Sequence, residues 1–289
     1  SDKWDPLSYE REYDMSKTFF EQYKELSSLV PRVAVFHRNA VNSEYAHTVV
    51  ESKDVYLSFS VTKNSEKVFY SKCIDSSRDI VDSMNVINNS ESLYENVEAQ
   101  GNYNSQYLLL SRACIDSYYL VDCVNCSNCF LSYNLRNKEY CIKNVQYTRE
   151  DYLKELDKFN LKSRASRNIL FNEFENIKKN AIYRFANINK CVDVSGNNLL
   201  NVKNGKHCFE IYNSENLKYC FRAINLKDSM DFDYGLNSEF MYEYDTGCFN
   251  DYNVKFSYCA VNSVRDSDYV EWCTNSTNIF GCIGLKNIE

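Results

Sequence analysis

The sequence predicts a mainly β fold, a right-handed parallel β-helix (solenoid) in two repeated blocks with a helical insert and an N-terminal capping helix. Three observations predict it. Short apolar stretches begin about once every dozen positions between Val55 and Tyr140, too regularly for a mixed fold and too closely for intervening helices. Two amphipathic stretches interrupt them between residues 148 and 182. Residues 123–139 overlay residues 273–289 at a constant offset of 150, with 7 of 17 positions identical, as in a duplicated chain.

Residues 16–28 read as an amphipathic helix opened by Ser16 and stopped before Pro31. They lie in an N-terminal helical cap over 1–40, which would cover the unpaired edge of a solenoid. The first β-solenoid block spans 41–147, with strands starting at Val55, Val68, Ile80, Leu93, Tyr107, Tyr118, Cys129 and Tyr140. Taking every second start predicts a coil of about 25 residues holding two principal strands. The helical insert covers 148–186. Thr148 caps its first helix, with Glu150 and Asp151 in the first turn, and residues 166–182 form its second. A second block over 187–289 has strand starts near Leu217, Met230, Phe240, Val254, Tyr269 and Ile279.

The composition supplies a core for this fold: 44% of the 289 residues are hydrophobic, and 24 are Tyr and 17 Phe. With only 7 Gly and 2 Pro, the turns fall to Asn and Ser. A formal charge of −7 argues against a general nucleic-acid binder, since phosphate neutralisation needs concentrated Lys and Arg. No stretch approaches the apolar length of a membrane span and the start lacks a basic and apolar leader, so no membrane contact is expected. Thirteen dispersed cysteines suit reduced, buried thiols and a cytoplasmic location.

Cys123, Cys126 and Cys129 form a C-x2-C-x2-C run, a spacing that can wrap zinc or an iron–sulfur cluster. Its internal copy carries Ser276 and Ile279 opposite Cys126 and Cys129, which favours packing over metal ligation. No cofactor is expected in this chain. If Met230 and Phe232 point inward, period-two alternation puts Asp231 and Asp233 outside. The same alternation turns Phe240, Tyr242 and Tyr244 inward and leaves Glu243 and Asp245 outside. Converging carboxylates of this kind hydrolyse glycosides; an acidic, solvated face is the plainer alternative, and Lys218 and Lys255 on the same surface favour ion pairing. His37, His47 and His207 stand beside no recognisable nucleophile arrangement, and the nucleotide-binding and metalloprotease motifs are missing. The many tyrosines could form a stacking platform, or internal ladders.

Ser1-Asp2-Lys3-Trp4-Asp5-Pro6-Leu7-Ser8-Tyr9, Phe19-Phe20-Glu21-Gln22-Tyr23-Lys24-Glu25-Leu26, Val30-Pro31 and Asn42-Ser43-Glu44-Tyr45 resemble segments of a group of bacterial Cys/Asn/Tyr-rich repeat proteins of no established activity. The likeness continues through Asn134-Leu135-Arg136-Asn137-Lys138-Glu139-Tyr140-Cys141-Ile142-Lys143-Asn144-Val145-Gln146-Tyr147 and covers most of the chain. In that group the Trp-Asp-Pro segment follows zinc-ribbon-like motifs. The resemblance therefore implies that this chain is the C-terminal portion of a longer protein whose preceding region binds zinc. Such proteins are sometimes labelled type III CoA-transferases, but the sequence shows neither a matching fold pattern nor an identifiable catalytic Asp.

The expectation is a non-catalytic binding or scaffold solenoid that engages a protein partner or itself, or a nucleic acid through flanking regions. The alternatives are a carbohydrate-active β-helix enzyme using Asp231, Asp233, Glu243 or Asp245, and an acidic DNA mimic or nucleic-acid-associated module.

Overall fold

The computed structural model describes residues 5–32, 34–161, 163–216, 230–233, 238–245, 250–259 and 262–289. Residues 1–4, Leu217 and Lys218 lie outside the described residues. The chain is mainly β and divides into two compact units, Ser1–Arg32 with Arg184–Glu289, and Val33–Tyr183.

Among the described residues of Val33–Tyr183, short strands build one 15-stranded sheet that is parallel until its last pairing. Register partners in neighbouring strands lie one short coil apart: His47 faces Phe59, and Val55 faces Val68, which faces Ile80, which faces Leu93. One coil is therefore half the expected length. The starts expected at Val55, Val68, Ile80 and Leu93 are the same position in successive coils, not two strands of one turn. Each coil still holds two strands, such as His47–Val50 and Lys53–Tyr56, but each strand is only four residues long.

The governing period is three. Ser43, Ala46, Val49, Ser52, Val55, Ser58 and Val61 are all buried, and each follows a residue with φ near +50°. These left-handed residues are corners that turn the chain inward. Asn, which tolerates that conformation best among the non-glycine residues, occupies many of them, including Asn42, Asn64, Asn85, Asn125, Asn134 and Asn137. Corner and face residues tie each coil to its neighbours. Asp54 N–H donates to Val41 O in the coil before (2.9 Å), and Lys53 N–H to Ser65 O in the coil after (3.0 Å). Corner side chains also form ladders, as from Asn125 to Asn137 (2.7 Å) and from Asn104 to Asp116 (2.6 Å).

So short a coil leaves room for only a few small inward side chains. Two per coil are aliphatic, in the columns Val49, Val61, Ile74, Val86, Ala99 and Val55, Val68, Ile80, Leu93. The others are serines whose hydroxyls replace water for buried backbone groups. Ser71 Oγ donates to Phe69 O (2.8 Å) and accepts from Ser83 N–H (3.1 Å). At Asn96 and Asn102 the side-chain amide takes over: Asn96 Oδ1 accepts from Leu108 N–H (2.6 Å) while its Nδ2 donates to Ser105 O (3.0 Å). Beyond them the columns exchange character, with Leu108 and Leu120 following Asn96, and Ser105 and Ser117 following Leu93.

The parallel ladder ends where Val145–Gln146 folds back antiparallel on Glu139–Ile142. Thr148 and Ser163 then cap two helices, accepting from Asp151 N–H (3.2 Å) and Ser166 N–H (3.4 Å). The helix that follows the N-terminal helix α1 (Phe19–Leu29) is α2 (Arg149–Asp157), and after it comes α3 (Arg164–Asn180), which starts and stops slightly earlier than expected.

In the other unit, α1 (Phe19–Leu29) opens at Thr18 rather than Ser16, because Thr18 and Glu21 close a reciprocal capping box. It packs on outward residues of the last coils, with Phe19 4.9 Å from Phe280 and 5.1 Å from Tyr269. Ser27 Oγ donates to Glu271 Oε2 (3.1 Å), and Arg32 pairs with the same buried carboxylate (2.7 Å). Strand partners here have the same short spacing, as between Leu199 and Ile211 or Met241 and Val254. Period three again overrides period two: Met241 and Tyr244 are buried, while Phe240, expected inward, is a corner residue at φ +55° and 46% exposed. The strand expected near Tyr269 is Arg265–Asp268, with Tyr269 as the next corner, and Ile279 lies among isolated bridges. Among the described residues, one inward position after a corner holds a carboxyl. Asp251 Oδ1 accepts from Val264 N–H (2.7 Å), and burial pushes the pKa up to about 7.

Candidate functional site

Strand register lines up one outward row in Val33–Tyr183: Tyr56, Phe69, Val81, Tyr94, Gln106, Tyr118, Phe130 and Ile142. The left-handed residue after each forms a corner beside it, including Leu57, Tyr70, Asp82, Glu95, Tyr107, Tyr119 and Leu131. This row and corner have two halves with different surroundings.

From Tyr107 onward, α2 and α3 cover the corner. Tyr107 and Tyr119 stack at 4.6 Å with planes 4° apart, Tyr119 meets Phe174 at 5.7 Å, and Phe130 meets Phe159 at 4.9 Å. Lys178 lies 4.6 Å above the Phe174 ring. Phe130 is fully buried and Tyr119 is 4% exposed, so these outward side chains form a second core with Tyr152, Leu170 and Phe174. The helix and the coils are commensurate. Phe171 contacts Tyr107 (6.5 Å) and Phe174 contacts Tyr119 (5.7 Å), so one step of three along the helix matches one coil. Such a step rises about 4.5 Å, close to the roughly 4.8 Å between strands.

Before Tyr94, among the described residues of Val33–Tyr183, no helix packs on the row. Tyr45, Tyr56 and Tyr70 contact one another edge-on at 5.8 and 5.9 Å, yet Tyr56 is 38%, Leu57 50% and Tyr70 54% exposed. Phe59, on the adjoining face, is also exposed; His47 stacks on it at 5.6 Å and Lys72 lies over it. Sequence reasoning raised a tyrosine platform but did not place it on this surface. The signal was the regular recurrence of Ser from Ser52 through Ser58, Ser65, Ser71, Ser77 and Ser83 to Ser90, with an aliphatic residue midway, which fixes the inward positions and leaves the aromatics outside.

The structure brings Cys123, Cys126 and Cys129 together as three successive inward residues of one coil, joined by Cys114 and Cys141 in a buried cluster with Leu108, Leu120 and Leu135. Period three thus accounts for the C-x2-C-x2-C run, and Cys273, Ser276 and Ile279 of the internal copy are also buried. The Cys114, Cys123 and Cys129 thiols donate to the main-chain carbonyls of Cys123 (3.6 Å), Ser132 (3.8 Å) and Lys138 (3.7 Å); the neighbouring Cys126 sulfur and burial raise their pKa values, and burial also raises that of Cys141. Among the described residues no cysteine is in a disulfide and no side-chain group has the arrangement of a metal site.

The acidic candidates lie in Met230–Asp233 and Glu239–Asp245. Asp233 and Asp245 are register partners, and Tyr242 faces Lys255 in the next strand. The side chains of Asp231 and Asp233 lie outside the described residues. Glu243 and Asp245 are exposed as expected, although Glu243 is a left-handed corner and not one step of a period-two strand. His37 contacts the Ala46 carbonyl (2.9 Å) and His47 the Thr48 hydroxyl (2.7 Å).

Among the described residues no helix is long and apolar enough to cross a membrane. No protein-family model and no curated protein sequence matches the chain. Among solved structures it is similar to that of a "putative acetyltransferase" from Desulfovibrio desulfuricans G20, at 10% identity and a TM-score of 0.16. The match covers 89% of this chain and 66% of that one, a little under two thirds of its length.

Proposed function

We propose that the chain is a non-catalytic binding or scaffold module, a right-handed parallel β-solenoid of two repeated blocks that presents its outer faces to a protein partner in the cytoplasm. The half-covered aromatic row carries this reading. Contiguous exposed apolar surface on a coil stack whose interior is already filled is characteristic of an interaction face. The ladders on other faces, such as Lys53 with Glu66 (3.1 Å) and Arg78 with Glu91 (2.7 Å), are self-paired and suit solvent. The likeness to repeat proteins with preceding zinc-ribbon-like motifs supports a module within a longer protein, whose zinc region could engage nucleic acid.

The register pairing of Asp233 with Asp245 favours a second reading, a carbohydrate-active surface. One experiment separates the two: the intact chain and its Asp233→Asn, Glu243→Gln and Asp245→Asn variants are assayed for hydrolysis of a panel of soluble polysaccharides. The binding reading predicts no turnover in any of them; turnover that single acid substitutions abolish would overturn it.

A further inference from the structure

The exposed half of the aromatic row continues a surface that α3 already occupies, and the chain's own geometry says what fits there. Building on the binding reading above, we infer that Tyr45, Tyr56, Leu57, Phe69 and Tyr70 form a docking site for an amphipathic α-helix of a protein partner, laid along the coil stack end to end with α3.

Continuity is the first argument. Tyr56, Phe69, Val81 and Tyr94 occupy the same register column as Tyr118, Phe130 and Ile142, which are covered by this chain's helices. Commensurability is the second. Because a step of three along a helix advances by nearly one coil, as Phe171 and Phe174 do over Tyr107 and Tyr119, apolar residues at i, i+3 or i+4, and i+7 meet successive coils. From Tyr45 to Tyr94 the open stretch covers about five coils, about 19 Å, the length of a helix of about 13 residues. The third argument is recurrence: in the other unit α1 packs Phe19 against Tyr269 (5.1 Å), which stacks on Phe256 (4.7 Å), and against Phe280 (4.9 Å). Charge adds a preference. Asp82 and Glu95 stand at the corner where the open half begins, and Arg167 in the first turn of α3 acts electrostatically on Tyr94 and Tyr119. The incoming helix therefore carries basic residues at the end nearest α3.

The test uses the intact chain and a fluorescein-labelled peptide of residues 163–181, whose apolar stripe already fits the neighbouring coils. Anisotropy titration is expected to show saturable one-to-one binding. Tyr56→Glu and Tyr70→Glu should each weaken it at least tenfold, while Ile115→Glu, on another face, should not. Circular dichroism and urea midpoints matching the parent establish that the variants are folded. Absence of binding would overturn the inference. So would binding that survives both tyrosine substitutions, since the peptide would then be displacing the chain's own α3. Sedimentation showing a dimer broken by Tyr70→Glu would also overturn it and assign the row to a second copy. These failures leave the binding reading standing, because that reading falls on acid-dependent turnover.

Discussion

The two halves of one outward row in Val33–Tyr183 have similar side chains and opposite fates. Tyr119 and Phe130 are core residues, whereas Tyr56 and Tyr70, on the same face a few coils earlier, are in solvent. Local sequence does not decide between these outcomes. The inner column does the folding in both halves, and the outer aromatics become structural only where α2 and α3 arrive to cover them. Burial on this face reports the presence of a second layer, so its exposed half is a surface already suited to helices.

Substitution should separate the halves most strongly. Phe130→Ala is expected to cost about 3 to 5 kcal/mol by urea unfolding, as for a fully buried Phe, and Tyr70→Ala less than about 1 kcal/mol. Equal losses would break the distinction.

The inward positions sharpen the same point, since there the inner layer alone sets stability. Asn96 meets its neighbours with an acceptor and a donor, while Asp251 occupies an inward position with a carboxyl whose pKa burial raises to about 7. A carboxyl with a folded pKa above its unfolded value near 4 stabilises fully below that lower value. That stability is lost as pH rises through about 7. Unfolding free energy should therefore fall by a few kcal/mol across that window, and Asp251→Asn should remove that part of the slope. An unchanged slope in the variant would show that Asp251 is ionised in the fold.

Ser71→Ala removes the hydroxyl that accepts from Ser83 N–H in the dry interior, and should cost about 1 to 3 kcal/mol. The smallest effect is expected at the open corner. Leu57, at φ +45° and half exposed, should gain up to about 1 kcal/mol on replacement by Gly, which reaches that conformation without strain.

Much of this was legible in the sequence and some was not, for identifiable reasons. The stacked parallel strands were visible because Val55, Val68, Ile80 and Leu93 recur at coil spacing. Two strands per coil suggest strands of ordinary length and so a coil twice as long, whereas left-handed corners here limit many strands to four residues. Period-two reasoning also misplaced Phe240, because a corner at every third residue breaks strand alternation. The inward role of Cys123, Cys126 and Cys129 followed from the Ile in the internal copy. The aromatic row did not, because its two halves look alike in sequence and differ only in what the helices reach.

Hydroxyl-radical footprinting of the intact chain, read by mass spectrometry, tests the half-covered row most directly. Tyr45, Tyr56 and Tyr70 should be modified rapidly, and Tyr119 and Phe130 strongly protected. Comparable modification of both sets, or protection of the first, would contradict a surface that the chain's own helices cover only in part.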